Sequence, residues 1–274
     1  MLFKFNLKHI LVKRKNILLT GVVMFLMAAY SGAQNTNQYN VIDKNGNKQG
    51  YWEKKYPNGK VKYTCNFKDN KPVGLLKRFD EKGNLKAEMN YVKGSDKVYA
   101  KLYYPNEVLQ AEGYFINKNK DSIWHYYSID RYLINKVPFV NNKKHGEEHK
   151  FYEDGNLYEK CNWENGLKHG LCSRYYQEGK IMSQMAYSRG KLDGVYTIYG
   201  LRNNILIQGK YINNKREGSW FYYKNSGEIE AEIKYTNGVA DNESELRRLE
   251  HERIEQLQKN KGKIKDPRDA MYGL

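Results

Sequence analysis

The chain is predicted to be all-β: an elongated single-layer antiparallel meander of about eight stacked 24-residue hairpin repeats, followed by a C-terminal α-helix. Three observations predict this, namely a constant interval, turn residues at two fixed places within it, and strand-like stretches between the turns. From Gly50 to Asp241, eight units of 24 residues fill 192 positions with no insertion or deletion. The units open at Gly50, Gly74, Val98, Ser122, Gly146, Gly170, Gly194 and Gly218. Eleven places on, all eight carry an aliphatic residue (Val61, Leu85, Leu109, Leu133, Leu157, Ile181, Ile205, Ile229). Seventeen places on, all eight are aromatic (Phe67, Tyr91, Phe115, Phe139, Trp163, Tyr187, Tyr211, Tyr235). Five places on, seven are aromatic and Lys55 is the exception.

Gly59, Gly83, Gly155, Gly179 and Gly227 share the tenth position, in contexts such as Pro57-Asn58-Gly59. They tolerate the positive φ that a tight hairpin needs. A second break falls near the unit's end, where Asn70, Gly94, Asn142, Gly166, Gly190, Asn214 and Gly238 share a column with Lys118. The six to eight residues between breaks are rich in Tyr, Phe, Trp, Val and Ile, as strands are. Each unit is therefore a hairpin, and about sixteen strands are expected.

The columns eleven, thirteen, fifteen and seventeen places on keep period two, as in Ile229-Ala231-Ile233-Tyr235, which makes one face apolar. The intervening column (Glu88, Glu112, Gln184, Gln208, Glu232) fits a face open to water. Tyrosine outnumbers phenylalanine 25 to nine. That bias suits a thin sheet, where a ring packs on its neighbours and its hydroxyl stays wet.

The run from Gly218 through Trp220, Tyr223 and Gly227 to Ile229, ending in Tyr235-Thr236-Asn237-Gly238, resembles the bacterial MORN-variant repeat found in proteins labelled YwqK-like antitoxins. The resemblance spans the array and is clearest in units one, two, five, six and eight. It implies a stack of hairpins and a binding or scaffolding role, and no catalytic residues.

Before the array, residues 1–16 carry Lys4, Lys8, Lys13, Arg14 and Lys15 with no acid, and 17–29 are almost wholly apolar. With Ser31-Gly32-Ala33 following, residues 1–33 read as a signal peptide cleaved after Ala33, which places the protein in the periplasm or envelope. The alternative is an uncleaved inner-membrane anchor at 17–33. A polar leader over 34–49 is expected to cap the first edge of the sheet.

Units three and four depart from the pattern. Val98 and Ser122 replace the opening glycine, Glu107 and Arg131 replace the turn glycine, and Pro105 and Pro138 stand in or beside strands. Drift at loop tips accounts for this. A sharper reading makes the middle section a partner site around Tyr126 and Arg131, joined by the loop cations Lys143, Lys144, Lys215 and Arg216.

After Asp241, Asn242 with Glu245 forms a capping box, and Leu246, Leu249, Ile254 and Leu257 form a stripe over a helix spanning 242–261. The helix is expected to cover the last strand's open edge, with a docking role as the alternative. A flexible tail over 262–274 follows.

The formal charge of +16 includes five basic residues and no acid from 1–33, leaving +11; residues 242–274 hold eight basic and seven acidic residues, so about +10 falls on the leader and array. The lysines cluster at loops. They deter sheet-to-sheet pairing, or attract an anionic envelope component or acidic partner. Export argues against nucleic acid, and membrane contact is at most peripheral. Of the three cysteines, Cys161 and Cys172 flank the 165–168 turn symmetrically and are a candidate disulfide in an oxidising compartment. Cys65 occupies the column of Cys161. His145, His149 and His169 do not form a metal-ligand set, and no phosphate loop, nucleophile elbow or cofactor motif is present. The expected function is non-catalytic: a protein-binding or scaffold protein of the envelope, or an immunity protein that neutralises one toxin.

Overall fold

The computed structural model describes residues 39–259. The signal peptide read over 1–33 and the tail 262–274 lie outside the described residues. A short stub, β1 (Val41–Ile42), precedes the array. The first half of the array comprises β2 (Lys48–Lys55), β3 (Val61–Lys68), β4 (Lys71–Phe79), β5 (Leu85–Tyr91), β6 (Lys97–Tyr103), β7 (Leu109–Ile116), β8 (Asn119–Tyr127) and β9 (Leu133–Val140). The second comprises β10 (Lys143–Lys144), β11 (Gly146–Phe151), β12 (Leu157–Glu164), β13 (Leu167–Tyr175), β14 (Ile181–Ser188), β15 (Lys191–Tyr199), β16 (Ile205–Ile212), β17 (Lys215–Tyr223) and β18 (Ile229–Thr236). A stub, β19 (Val239–Ala240), and α1 (Glu243–Lys259) complete the described chain.

Each strand pairs antiparallel with the next in the sequence, as β2–β3, β3–β4 and β17–β18 do. β10 and β11 act as one strand broken at His145, and both pair with β9. Counted that way, sixteen long strands form one open meander, two per unit. The break coincides with Pro138 on β9, which has no N–H to give the ladder, although its carbonyl still accepts from His145 at 3.0 Å.

The tenth position of every unit has positive φ, including Glu107 (62°), Arg131 (72°) and Asn203 (63°). The turn is a three-residue hairpin with a one-residue bulge, as in Gly59 N–H to Tyr56 carbonyl at 3.0 Å with the register shifting between Lys54 and Lys55. Units three and four thus keep the shared turn geometry despite their sequences. Because Arg131 is exposed and left-handed, Arg131→Gly is expected to stabilise the protein by about 1 kcal/mol, read as a rise in the urea midpoint.

The second break is, in every unit but the second, a two-residue turn with both central residues at positive φ, as in Asp69-Asn70 (51°, 64°) and Asn213-Asn214 (49°, 69°). This is the type I′ turn whose twist matches that of the strands. The two turn classes therefore line opposite long edges of the sheet. The opening glycines serve a different purpose. Across β3–β4 the register runs from Thr64↔Lys77 to Asn66↔Val73, leaving two extra residues at Gly74. The same bulge recurs at Ser122, Gly170, Gly194 and Gly218, and is missing at Val98, where β5–β6 pair without a shift.

Directly opposed residues share a face. The packed face carries the predicted apolar columns, along with Trp52, Trp124 and Trp220 from the partner strands. Trp124 lies flat on Gly113 of the previous strand: a Cβ there would meet the indole at 2.5 Å. Trp220 lies on Gly209 in the same way. Their indole N–H groups donate to the carbonyls of the next residues, Tyr114 (3.0 Å) and Lys210 (3.2 Å). Small residues thus stand where a tryptophan follows eleven places later. The turn tyrosines staple units together, with Tyr56, Tyr104, Tyr152 and Tyr176 donating to carbonyls of Phe79, Tyr127, Tyr175 and Tyr199. These four hydroxyls are bonded to protein, whereas the sequence reading had them wet.

The ends differ. The leader caps the first edge: β1 pairs with β2, and Asn40 extends the cap by taking the Glu53 N–H on its side chain. The helix α1 departs from expectation. Leu249, 1% exposed, packs with Trp220, Tyr222, Ile233 and Tyr235, and Leu246 joins them from the rim. The helix therefore covers the packed face of the last units instead of the open edge of β18, because the aromatic cluster offers more apolar area than a strand edge.

Candidate binding surfaces

Three features recur with the repeat. The first is a row of cations on the packed face, at the second strand residue after the unit-end turn, present at five of eight equivalent positions and interrupted by Pro72, Asp96 and Leu192. Lys48 lies over Trp52 (4.6 Å) and Phe67 (5.0 Å), and Lys120 over Trp124 (4.4 Å) and Phe139 (5.5 Å). Lys144 and Lys168 flank the Trp163 ring at 4.3 and 5.9 Å, and Arg216 lies 4.7 Å from Trp220. The rings hold each cation in place and partly offset its desolvation. Burial lowers the Lys120 and Lys168 pKa values, the latter against the pull of Glu159. The polar neighbours of this row are mostly hydroxyls: Lys120 Nζ meets Tyr126 Oη at 2.9 Å and Arg216 Nη1 meets Tyr235 Oη at 2.7 Å.

Between these cations, unit five buries two carboxylates. Glu159, 2% exposed, accepts from Lys150 Nζ (2.8 Å) and Arg174 Nε (2.7 Å). Burial works to raise its pKa, yet Lys150 and then Arg174 hold it at about 2. Glu148 pairs with Lys144 at 2.9 Å and accepts from Asn135 Nδ2. Both groups serve to hold adjacent strands together.

The second feature is an asymmetry of charge between the long edges. The five residues around each unit-end turn (68–72 and its equivalents through 236–240) hold twelve basic and three acidic side chains over the eight units. The five around each opposite turn (56–60 through 224–228) hold six basic and eight acidic ones. One edge carries +9 and the other −2.

The third is an apolar row on the outer face, at the residue after the opening position, interrupted by Glu147 and Ser219. Tyr51, Leu75, Ile123, Leu171 and Val195 there are between 37% and 56% exposed. Beside it runs a polar row that includes Lys77, Glu88, Lys101 and Glu112, in which Tyr103 donates to Glu88 and Tyr99 and Tyr127 to Glu112. Segments 48–69, 72–93, 144–165 and 168–188 match the MORN repeat variant. These are units one, two, five and six, and three of the four MORN-matching segments open on a cation of the row: Lys48, Lys144 and Lys168. Units three, four, seven and eight repeat the MORN-matching geometry outside those matches. No curated protein matches the chain.

The six residues read from sequence as a partner surface do not converge. Tyr126, Lys144 and Arg216 sit on the packed face, Lys143 and Lys215 are exposed at the basic edge, and Arg131 is at the tip of the opposite edge. Arg131 and Lys143 are separated by the length of a strand, on the order of 20 Å. The sequence signal for the outer-face row was a large apolar residue after the opening glycine, and for the cation row a Lys or Arg two places before it.

Cys161 and Cys172 are directly opposed with sulfurs 2.14 Å apart as a disulfide pair. The turn is centred on Asn165-Gly166, one residue earlier than the centre of a 165–168 loop, and the two-residue bulge at Gly170 restores the facing pair. Denatured, non-reduced protein is expected to label with a thiol reagent at Cys65 alone. Labelling at all three cysteines would show the pair to be reduced. His149 and His169 lie beside Glu147 (2.8 Å) and Glu164 (3.8 Å), and among the described residues no three His, Cys, Asp or Glu side chains gather for a metal.

Proposed function

We propose that this chain is a non-catalytic protein-binding or scaffold protein of the bacterial cell envelope, exported by residues 1–33, that engages a protein partner through the outer face of its sheet. The observation that carries this is the set of exposed apolar side chains Tyr51, Leu75, Ile123, Leu171 and Val195, at the same repeat position on one face in five of the eight units, beside a charged row. Exposed apolar residues in contiguous arrangement mark interaction surfaces, and a repeat array spreads one over many units. The test places a photo-crosslinking side chain at Leu75, Ile123 or Val195 in producing cells. Adducts in the envelope fraction that disappear with Leu75→Glu/Val195→Glu support the reading. The absence of adducts at all three positions, or protein confined to the cytosol, contradicts it. A single stoichiometric adduct with one toxin would favour the immunity role instead.

A further inference from the structure

The basic edge carries charge that the protein itself leaves unneutralised. Lys48, Lys120, Lys168 and Arg216 make no ion pair among the described residues; each is held over aromatic rings. Tyrosine hydroxyls flank three of them, at Tyr63, Tyr126 and Tyr235. In the middle of the sheet, Lys120, Lys144 (itself paired with Glu148) and Lys168 occupy the same position in consecutive units, two strands apart, which spaces them by roughly 9.6 Å. Outside this row stand the exposed Lys71, Lys143, Lys191 and Lys215.

We infer that the type I′ edge binds an extended anionic polysaccharide lying across the strands, centred on the three consecutive units of Lys120, Lys144 and Lys168, with one acidic group of the polymer per cation and its sugar hydroxyls on the tyrosines. The row is a line, one residue wide, along an edge of net charge +9, so a linear polyanion can neutralise it where a flat lipid surface would meet only its tips. Its interval suits a polymer with one carboxylate per disaccharide. Duplex nucleic acid, with a phosphate every ~3.4 Å along each strand, offers charge several times too dense. The opposite edge, at −2, provides the internal control.

Purified protein is titrated with hyaluronate oligosaccharides, neutral dextran, polyadenylate and phosphatidylglycerol vesicles at two salt concentrations. Hyaluronate is expected to bind with an affinity that falls as salt rises, and dextran not to bind. Lys120→Gln/Lys144→Gln/Lys168→Gln is expected to weaken hyaluronate binding about tenfold or more. Lys60→Gln/Arg131→Gln/Lys180→Gln on the opposite edge removes the same charge and is expected to change it less than about twofold. Should the first triple fail to fold, Lys71→Gln/Lys143→Gln/Lys191→Gln/Lys215→Gln, all exposed, carries the test with the same expectation. Equal losses from both edges, no hyaluronate binding, or tighter binding to polyadenylate or vesicles would overturn the inference. Because the outer-face row is untouched by these variants, crosslinked adducts that persist while hyaluronate binding is absent would overturn this inference alone.

Discussion

Gly209→Ala is expected to cost about 3 kcal/mol of unfolding free energy, far more than an ordinary glycine-to-alanine change in a strand. The added methyl would occupy the space of the Trp220 indole, which is 1% exposed and cannot be accommodated elsewhere without leaving its cluster. Trp220 packs edge-on to Tyr211 (5.1 Å) and Tyr235 (5.9 Å) and beneath Leu249 of α1, so displacing it loosens the helix as well. Urea unfolding followed by tryptophan fluorescence measures the loss, and Gly113→Ala is expected to behave alike through Trp124. Introduced into a Trp220→Leu background, Gly209→Ala should cost less than half as much, because a smaller side chain leaves room for the methyl. A single variant as stable as the parent would mean that the tryptophan does not need the glycine.

Glu159→Gln is expected to cost about 3 kcal/mol at neutral pH, since it leaves Lys150 and Arg174 partly buried without their anion. The cost should depend on pH in a defined sense. In the folded protein the carboxyl titrates at about 2, below its ordinary value of 4.5, so the unfolded chain takes up the proton first as pH falls. Its stabilisation is therefore complete above about pH 5, declines between 4.5 and 2, and is gone below that window. Urea midpoints of parent and variant measured from pH 7 to pH 2 should converge through this window. A gap that stays constant to pH 2 would place the Glu159 contribution elsewhere.

Much of the fold was legible because its turns are written in residue type. Positive φ at two places per unit selects Gly and Asn, and these recur at a fixed interval even where Glu107 or Arg131 accepts the left-handed conformation. Other features were less legible. The opening glycine looks like a turn residue, and only the register shows it to be a two-residue bulge that redirects the strand. The stripe of α1 suits a strand edge and a sheet face equally, and the choice rests on the cluster around Trp220. The binding surfaces were harder still. In a chain with 47 Lys and Arg residues, no lysine stands out until pairing sets Lys120, Lys144 and Lys168 over rings from neighbouring strands. Tyr126 and Arg131 lie five residues apart in the chain, yet the hairpin places one on a face and the other at a tip.

Urea unfolding of two internal deletions tests the repeat architecture most directly. Removing residues 74–97 excises one unit and joins Val73 to Val98, so that β3 meets β6, which runs in the same direction as β4. Removing only residues 74–85 deletes half an interval, including most of β4, and joins the first residues of β4 to β5, which ordinarily runs the opposite way. The 24-residue deletion is predicted to unfold in a single cooperative transition near the parent midpoint, and the 12-residue deletion to lose that transition. Equal behaviour of the two, whether both fold or both fail, would contradict a fold built on the 24-residue interval.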